Sequence, residues 1–258
     1  MTAMPRRTLV DLGVALAALA LTAVALEIWT SAFRVPVYLV PSPSSIATRL
    51  WIDATMFSRE AAITVGEAAG GFLVGTTMAF VAAALMAQSR LLERTLFPIA
   101  ILIKLTPIVA VAPLFTLWFG FGTGPKIAIA ALITFFPMLV NSFVGLRSAD
   151  AQELAFLQTL GASRAEVFRM LRVPSALPFL FSGARISLNL ALIGAVIAEW
   201  TGADRGLGRV IFVANANLDL TALFGAVLML AVIGIAANAA VGAAERRVLH
   251  WHPIVLTT

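Results

Sequence analysis

Apolar residues run along this chain in six blocks, Leu9–Trp29, Ile63–Gln88, Thr95–Phe119, Lys126–Leu146, Pro178–Trp200 and Leu220–Ala243, separated by polar or Gly- and Pro-rich stretches. A helix needs ~20 apolar residues to cross a bilayer, and each block is of that length. Lipid offers no partners for exposed backbone groups, so such spans must be helices. A membrane barrel would instead show short alternating segments, unlike these runs of Ala, Leu, Val and Ile. The pattern predicts an all-α polytopic protein, one transmembrane domain over 1–258 with six spans and a long loop at 147–177.

The first block follows Arg6 and Arg7 and so has the outline of a signal peptide. Its apolar run is longer than the ~7–15 residues of a signal core, and no small-x-small cleavage site leads into a soluble domain. A retained first span is expected. Within the connector Val35–Glu60, the Pro41–Ser44 run ends an extended stretch and predicts a short capped helix near Ser45–Trp51. In the second block, Gly66 with Gly70 and Gly71 with Gly75 give the small-xxx-small spacing that lets helices approach closely, either inside one chain or at a homodimer seam. The third block holds Pro98, Pro107 and Pro113, which predict a bent helix lining a pathway or an irregular packed one.

Composition supports a lipid solvent: 60% of residues are hydrophobic, 12% are charged and the mean hydropathy is +0.97, against about 25% charged in a soluble domain. Cysteine is absent, which excludes disulfides and thiolate metal sites, and His250 with His252 in the tail makes no metal cluster. The net charge of +5 is read as topology rather than nucleic-acid binding. One side collects Arg6, Arg7, Arg90, Arg94, Arg147, Arg164, Arg169, Arg172, Arg246 and Arg247. The other has Arg34, Arg49, Arg59, Lys126, Arg205 and Arg209. The richer side is expected to be cytoplasmic, which places both termini and the Arg147–Leu177 loop there.

That loop contains an amphipathic helix–turn–helix. Leu157, Leu160, Val167, Phe168 and Leu171 can share a face, Arg164, Glu166, Arg169 and Arg172 stay wet, Gly161 interrupts and Pro174 stops it. Such a segment should dock a partner or lie on the membrane surface. Gly161 is followed by nine residues and then Leu171-Arg172-Val173-Pro174, with Pro178 beyond. This spacing resembles the cytoplasmic motif of importers powered by ATP-binding cassettes, although the Glu-Ala-Ala triplet of that motif reads Ala155-Phe156-Leu157 here. Leu39-Val-Pro-Ser-Pro43, Pro107 with Ala112-Pro-Leu and Leu117-Trp-Phe-Gly120, Glu199 with Gly206-Leu-Gly208, and Glu245-Arg-Arg with Trp251-His252 resemble the permeases of the nitrate/sulfonate/taurine type.

The resemblance implies the type I transmembrane fold of these importers in a bacterial inner membrane. It also implies a second copy of this chain, two copies of a separate ATPase, an extracytoplasmic binding protein and surrounding lipid as partners, with no nucleic acid. By that resemblance Ala155, Leu157, Leu160, Gly161, Ala162, Ser163, Phe168, Leu171 and Pro174 form the ATPase-docking lever. No phosphate loop is present, since the nearest string, Gly120 to Lys126, has Pro125 where glycine is required. ATP and Mg are therefore expected on the partner ATPase, and the chain itself is expected to hold no cofactor and to be no enzyme.

Ionisable groups inside spans are functional candidates because their burial is costly. Lys104 lies nine residues past Thr95, about 14 Å along its block at ~1.5 Å per residue. It reads either as a pathway cation beside Pro107 or as a salt-bridge partner of Glu67. Arg185 is placed to snorkel, Asn141 and Asn189 either bind solute or bridge helices, and Glu199 beside Trp200 either gates the outer mouth or meets the binding protein. A secondary transporter or a channel without an ATPase is the rival reading, but internal inverted symmetry is not visible. A membrane enzyme would need a convergent nucleophile or metal set, which the spans lack. Phe135–Asn141 and Ala198–Ala203 look more like the pyrimidine-precursor and riboflavin branch than the sulfonate, taurine and nitrate branch.

Overall fold

The computed structural model describes residues 6–250, so the tail motif at Trp251 and His252 lies outside them. The elements follow as α1 (Arg6–Ala32), α2 (Pro43–Ile52), α3 (Ala54–Gln88), α4 (Arg90–Leu105), α5 (Ile108–Phe119), α6 (Gly124–Arg147), α7 (Ala151–Thr159), α8 (Arg164–Val167), a π turn (Phe168–Arg172), α9 (Val173–Trp200), α10 (Leu207–Ala216) and α11 (Leu220–Val248). Two compact units divide the chain: one runs up to Arg59 and includes Val210–Met229, the other holds Glu60–Arg209 and the chain from Leu230.

In the first unit Ser42 caps α2 by accepting from Ser45 N–H, with proline at the first turn, as the Pro41–Ser44 run predicts. Glu27 of α1 accepts from the backbone and hydroxyl of Ser44 at 2.9 and 2.7 Å. Arg49 is paired with Asp53 at 2.9 Å and with Asp219 at 3.1 Å.

The second unit is built on α6 and α9, which pack closely because small residues line both. A Cβ added to Gly183 would stand 2.9 Å from Asn141 Cβ, and one added to Gly194 would stand 2.9 Å from Ala130 Cα. The glycines of α3 serve the same end, since a Cβ on Gly75 would fall 2.1 Å from Thr134 Oγ1 and one on Gly71 2.3 Å from Ala130 Cβ. Packing inside one chain therefore accounts for Gly71 and Gly75, while Gly66 faces open space.

Two sequence expectations change, the single bent third helix and the stop at Pro174. Among the described residues four helices are long and apolar enough to span, and a fifth is reached if α4 and α5 count as one; the first expected span, Leu9–Trp29, lies partly outside the described side chains. The third block is two helices rather than one bent helix, meeting at 99°. Pro107 lacks an N–H and pushes the residue before it out of the helical region, and Thr106 sits at φ −69°, ψ 125°. Pro174 does not stop its helix, because Arg164–Trp200 runs on as one continuous helix. Val173 N–H reaches back five residues to Phe168 O, so Pro174 enters at the first turn of α9, where a missing donor costs least.

Candidate functional site

The loop between α6 and α9 is assembled by local caps. Asp150 accepts from Gln152 and Glu153 N–H to start α7. Gly161 takes φ +76° and lets Ala162 N–H return to Leu157 O at 3.1 Å, which closes α7. Ser163 then opens α8 with a capping box: its hydroxyl accepts from Glu166 N–H and the Glu166 carboxylate accepts from Ser163 N–H at 2.7 Å. The expected common apolar face splits at Gly161. Val167 and Leu171 are buried and Phe168 is half-buried against the cluster that includes Met86 and Leu146. Phe156 and Leu160 are 62% and 67% exposed, Leu157 is half-buried and Ala155 is exposed.

The serine hydroxyl and backbone hold the Glu166 carboxyl below the usual carboxylate range. A depressed value means the box is complete above the ordinary glutamate range and is lost as pH falls through the folded value. Hydrogen-exchange protection over residues 163–167 is expected to be flat from neutral pH down to that range and to decline below it. Ser163→Ala is expected to remove the cap at a cost of about 1 kcal/mol and to abolish that acid step.

At the α4–α5 break Lys104 is exposed and its Nζ lies 4.6 Å above the centre of the Phe136 ring of α6. No carboxylate pairs with it among the described residues. A cavity of about 300 Å³ opens here, lined by Lys104, Thr106, Ile133, Phe136, Pro137 and Ile193 among others. The proposed Lys104–Glu67 bridge is not formed. Glu67 pairs instead with Lys126 at 2.8 Å, the two side chains being 3% and 10% exposed. Lys126, expected as an outer topology charge, is thus a buried partner, because Glu67 would otherwise be left as a bare carboxylate in apolar surroundings.

Glu199 is fully buried rather than at an exposed interface. It accepts from Thr64 Oγ1 at 2.7 Å and from Gly208 N–H, while Thr64 Oγ1 accepts from Leu207 N–H at 2.8 Å. Glu60 accepts from Gly206 N–H. These acceptors meet the free donors at the start of α10, a demand every helix N-terminus makes. Gly206, at φ +108°, leaves no space for a side chain, since a Cβ would lie 2.2 Å from the Glu199 carboxyl. The signal for this cluster is the 60, 64, 67 spacing of polar residues on one helical face; the sequence reading takes Glu67 only as a possible partner of Lys104 and leaves Glu60 and Thr64 unused.

Arg185 does not simply snorkel; it pairs with Glu245 of α11. Asn189 accepts from Asn238 Nδ2 at 2.6 Å, and Asn141 donates to Pro137 O of its own helix at 2.8 Å. Both asparagines are thus engaged within the chain. Pro107 stands at the break beside the Lys104 cavity. From the predicted pathway set the structure brings Lys104 together with Pro107, and the Glu67 carboxyl together with that of Glu199, whereas Asn141 and Asn189 sit at separate contacts.

A family profile described as binding-protein-dependent transport system inner membrane component matches residues 71–250. The formylaminopyrimidine transport permease of Halalkalibacterium halodurans is 34% identical, over 83% of this chain and 86% of its own length. The riboflavin transport system permease of Chloroflexus aurantiacus is 36% identical, over 84% and 81%. An inward-facing MetNI methionine ABC transporter chain superposes with a TM-score of 0.67 at 17% identity, covering 76% of this chain and 97% of that one. That likeness fixes the fold.

Proposed function

We propose, for a chain that belongs to the family of binding-protein-dependent transport system inner membrane components, that two copies form the solute pathway of an importer driven by a separate ATPase. The loop between α6 and α9 faces the cytosol together with both termini. Phe156 and Leu160 of that loop insert into the ATPase, and Gly161 lets α7 swing as the ATPase pair closes and reopens. Because α6 and α9 are locked by small residues on both sides, the swing reaches the membrane as a rigid tilt rather than a local flex. An extracytoplasmic binding protein delivers a small organic solute to the outer mouth.

The exposure of Phe156 and Leu160, between two spans in contact, carries this reading. A tagged chain is expected to copurify with an ATPase and to support ATP-driven uptake in proteoliposomes containing the binding protein. Uptake sustained by an ion gradient without ATP would make it a secondary transporter instead.

A further inference from the structure

Among the described residues the second unit buries Glu67 of α3, Lys126 of α6 and Glu199 of α9, none of which the lever uses. Glu67 spends Oε1 on Lys126 Nζ at 2.8 Å. Its Oε2 is buried and meets no N–H or O–H donor among the described residues, and the carboxyl's other neighbour is that of Glu199. Glu199 accepts from Thr64 Oγ1 at 2.7 Å and from Gly208 N–H, so each of its oxygens already faces a donor. Two carboxyl groups therefore meet away from water with one buried cation. The other charged groups on the elements packed here are Glu60 of α3, which accepts from Gly206 N–H, Asp204 and Arg205 of the turn, both exposed, and Arg209 of α10, half-buried. None of these four is buried with the pair, and α5 carries no charged side chain.

Charge and donor counts both call for a proton. Two like charges in contact cannot both persist where water does not screen them. A neutral carboxylic acid also brings one O–H donor, which is what the contact between these two carboxyl groups lacks. We propose that Glu67 and Glu199 bind one proton between them as a carboxylic acid–carboxylate pair, and that this buried proton site holds α3, α6 and the start of α10 as one electrically neutral block. The inference stands apart from the importer reading and does not depend on it. The proton belongs to the pair rather than to either residue. With it bound, Lys126 faces one net negative charge and the count closes. When it leaves to water, two anions press α3 and α9 apart beside Thr64 and Gly208, whose contacts seat the first turn of α10.

The test is infrared difference spectroscopy of the purified chain in phosphatidylcholine nanodiscs at neutral pH, wild type minus Glu199→Gln and wild type minus Glu67→Gln. An amide matches a neutral acid in shape and can donate to the carboxylate that remains, so both variants are expected to fold. Each difference is expected to show the carbonyl stretch of one neutral acid, lost in the variant and shifting slowly in D2O as a buried O–H exchanges. The wild type is also expected to lose heat resistance relative to Glu199→Gln as pH rises, since only the wild type has this proton to release. A folded variant whose difference lacks the acid band shows both carboxyl groups ionised and overturns the site. Parallel pH profiles for the wild type and Glu199→Gln overturn it as well. If one variant fails to fold, the other decides. Failure of both overturns the proposal, because an amide is the nearest neutral substitute for a shared acid.

Discussion

Lys126→Ala is expected to destabilise the purified protein by about 3–5 kcal/mol. The substitution removes the partner 2.8 Å from Glu67 and leaves a carboxylate that is 3% exposed. The other neighbour of Glu67 is the Glu199 carboxyl, also an acid, so nothing on that side replaces the lost cation. A double variant, Glu67→Leu with Lys126→Met, removes both charges at similar volume and is expected to recover most of the loss. Thermal unfolding in detergent, read as the fraction retained by gel filtration, measures all three. A single Lys126→Ala variant as heat-resistant as the wild type would show that the pair is hydrated and contributes little.

Gly161→Val is expected to separate ATP hydrolysis from transport. The glycine sits at φ +76° with nothing within 4 Å of where a Cβ would lie, so the penalty comes from the backbone and not from crowding. A β-branched residue in the left-handed region costs roughly 1–2 kcal/mol, whereas asparagine visits it readily. The α7–α8 turn in the valine variant should then reopen into another conformation, and Phe156 and Leu160 should lose their fixed placement. Uptake per ATP hydrolysed is expected to fall on the order of tenfold, equivalent to ~1.4 kcal/mol of coupling. Gly161→Asn should retain most of it. Normal coupling in the valine variant would refute the lever.

The α7–α8 loop was legible because its signals are local: a glycine, a Ser-x-x-Glu box and two prolines act on their own neighbours. Spans were legible as apolar runs for the same reason. Lys126 was misread because its meaning depends on Glu67, fifty-nine positions earlier in the chain, and no periodicity connects them. Glu199 looked interfacial by its position at a span end. It is buried because the turn after α9 folds back, so that the first donors of α10 need an acceptor there. The break at Thr106–Pro107 lay between these cases. A proline announces a defect, but a bend and a full break differ only in whether the preceding residue leaves the helical region.

That break also bears on how the chain enters the membrane during synthesis. At ~1.5 Å per residue the two halves are about 24 and 18 Å long, and neither crosses a core of about 30 Å unaided. Released singly to lipid, they would leave the carbonyls around Thr106 without partners. Both halves lie against α6, which the ribosome makes after them. Leu96, Phe97 and Ala100 of α4 meet Ala79, Ala83 and Met86 of the earlier α3, but the segment Arg90–Phe119 completes its packing only when α6 emerges. The two halves are therefore expected to settle together, against α6, rather than as a span that inserts by itself.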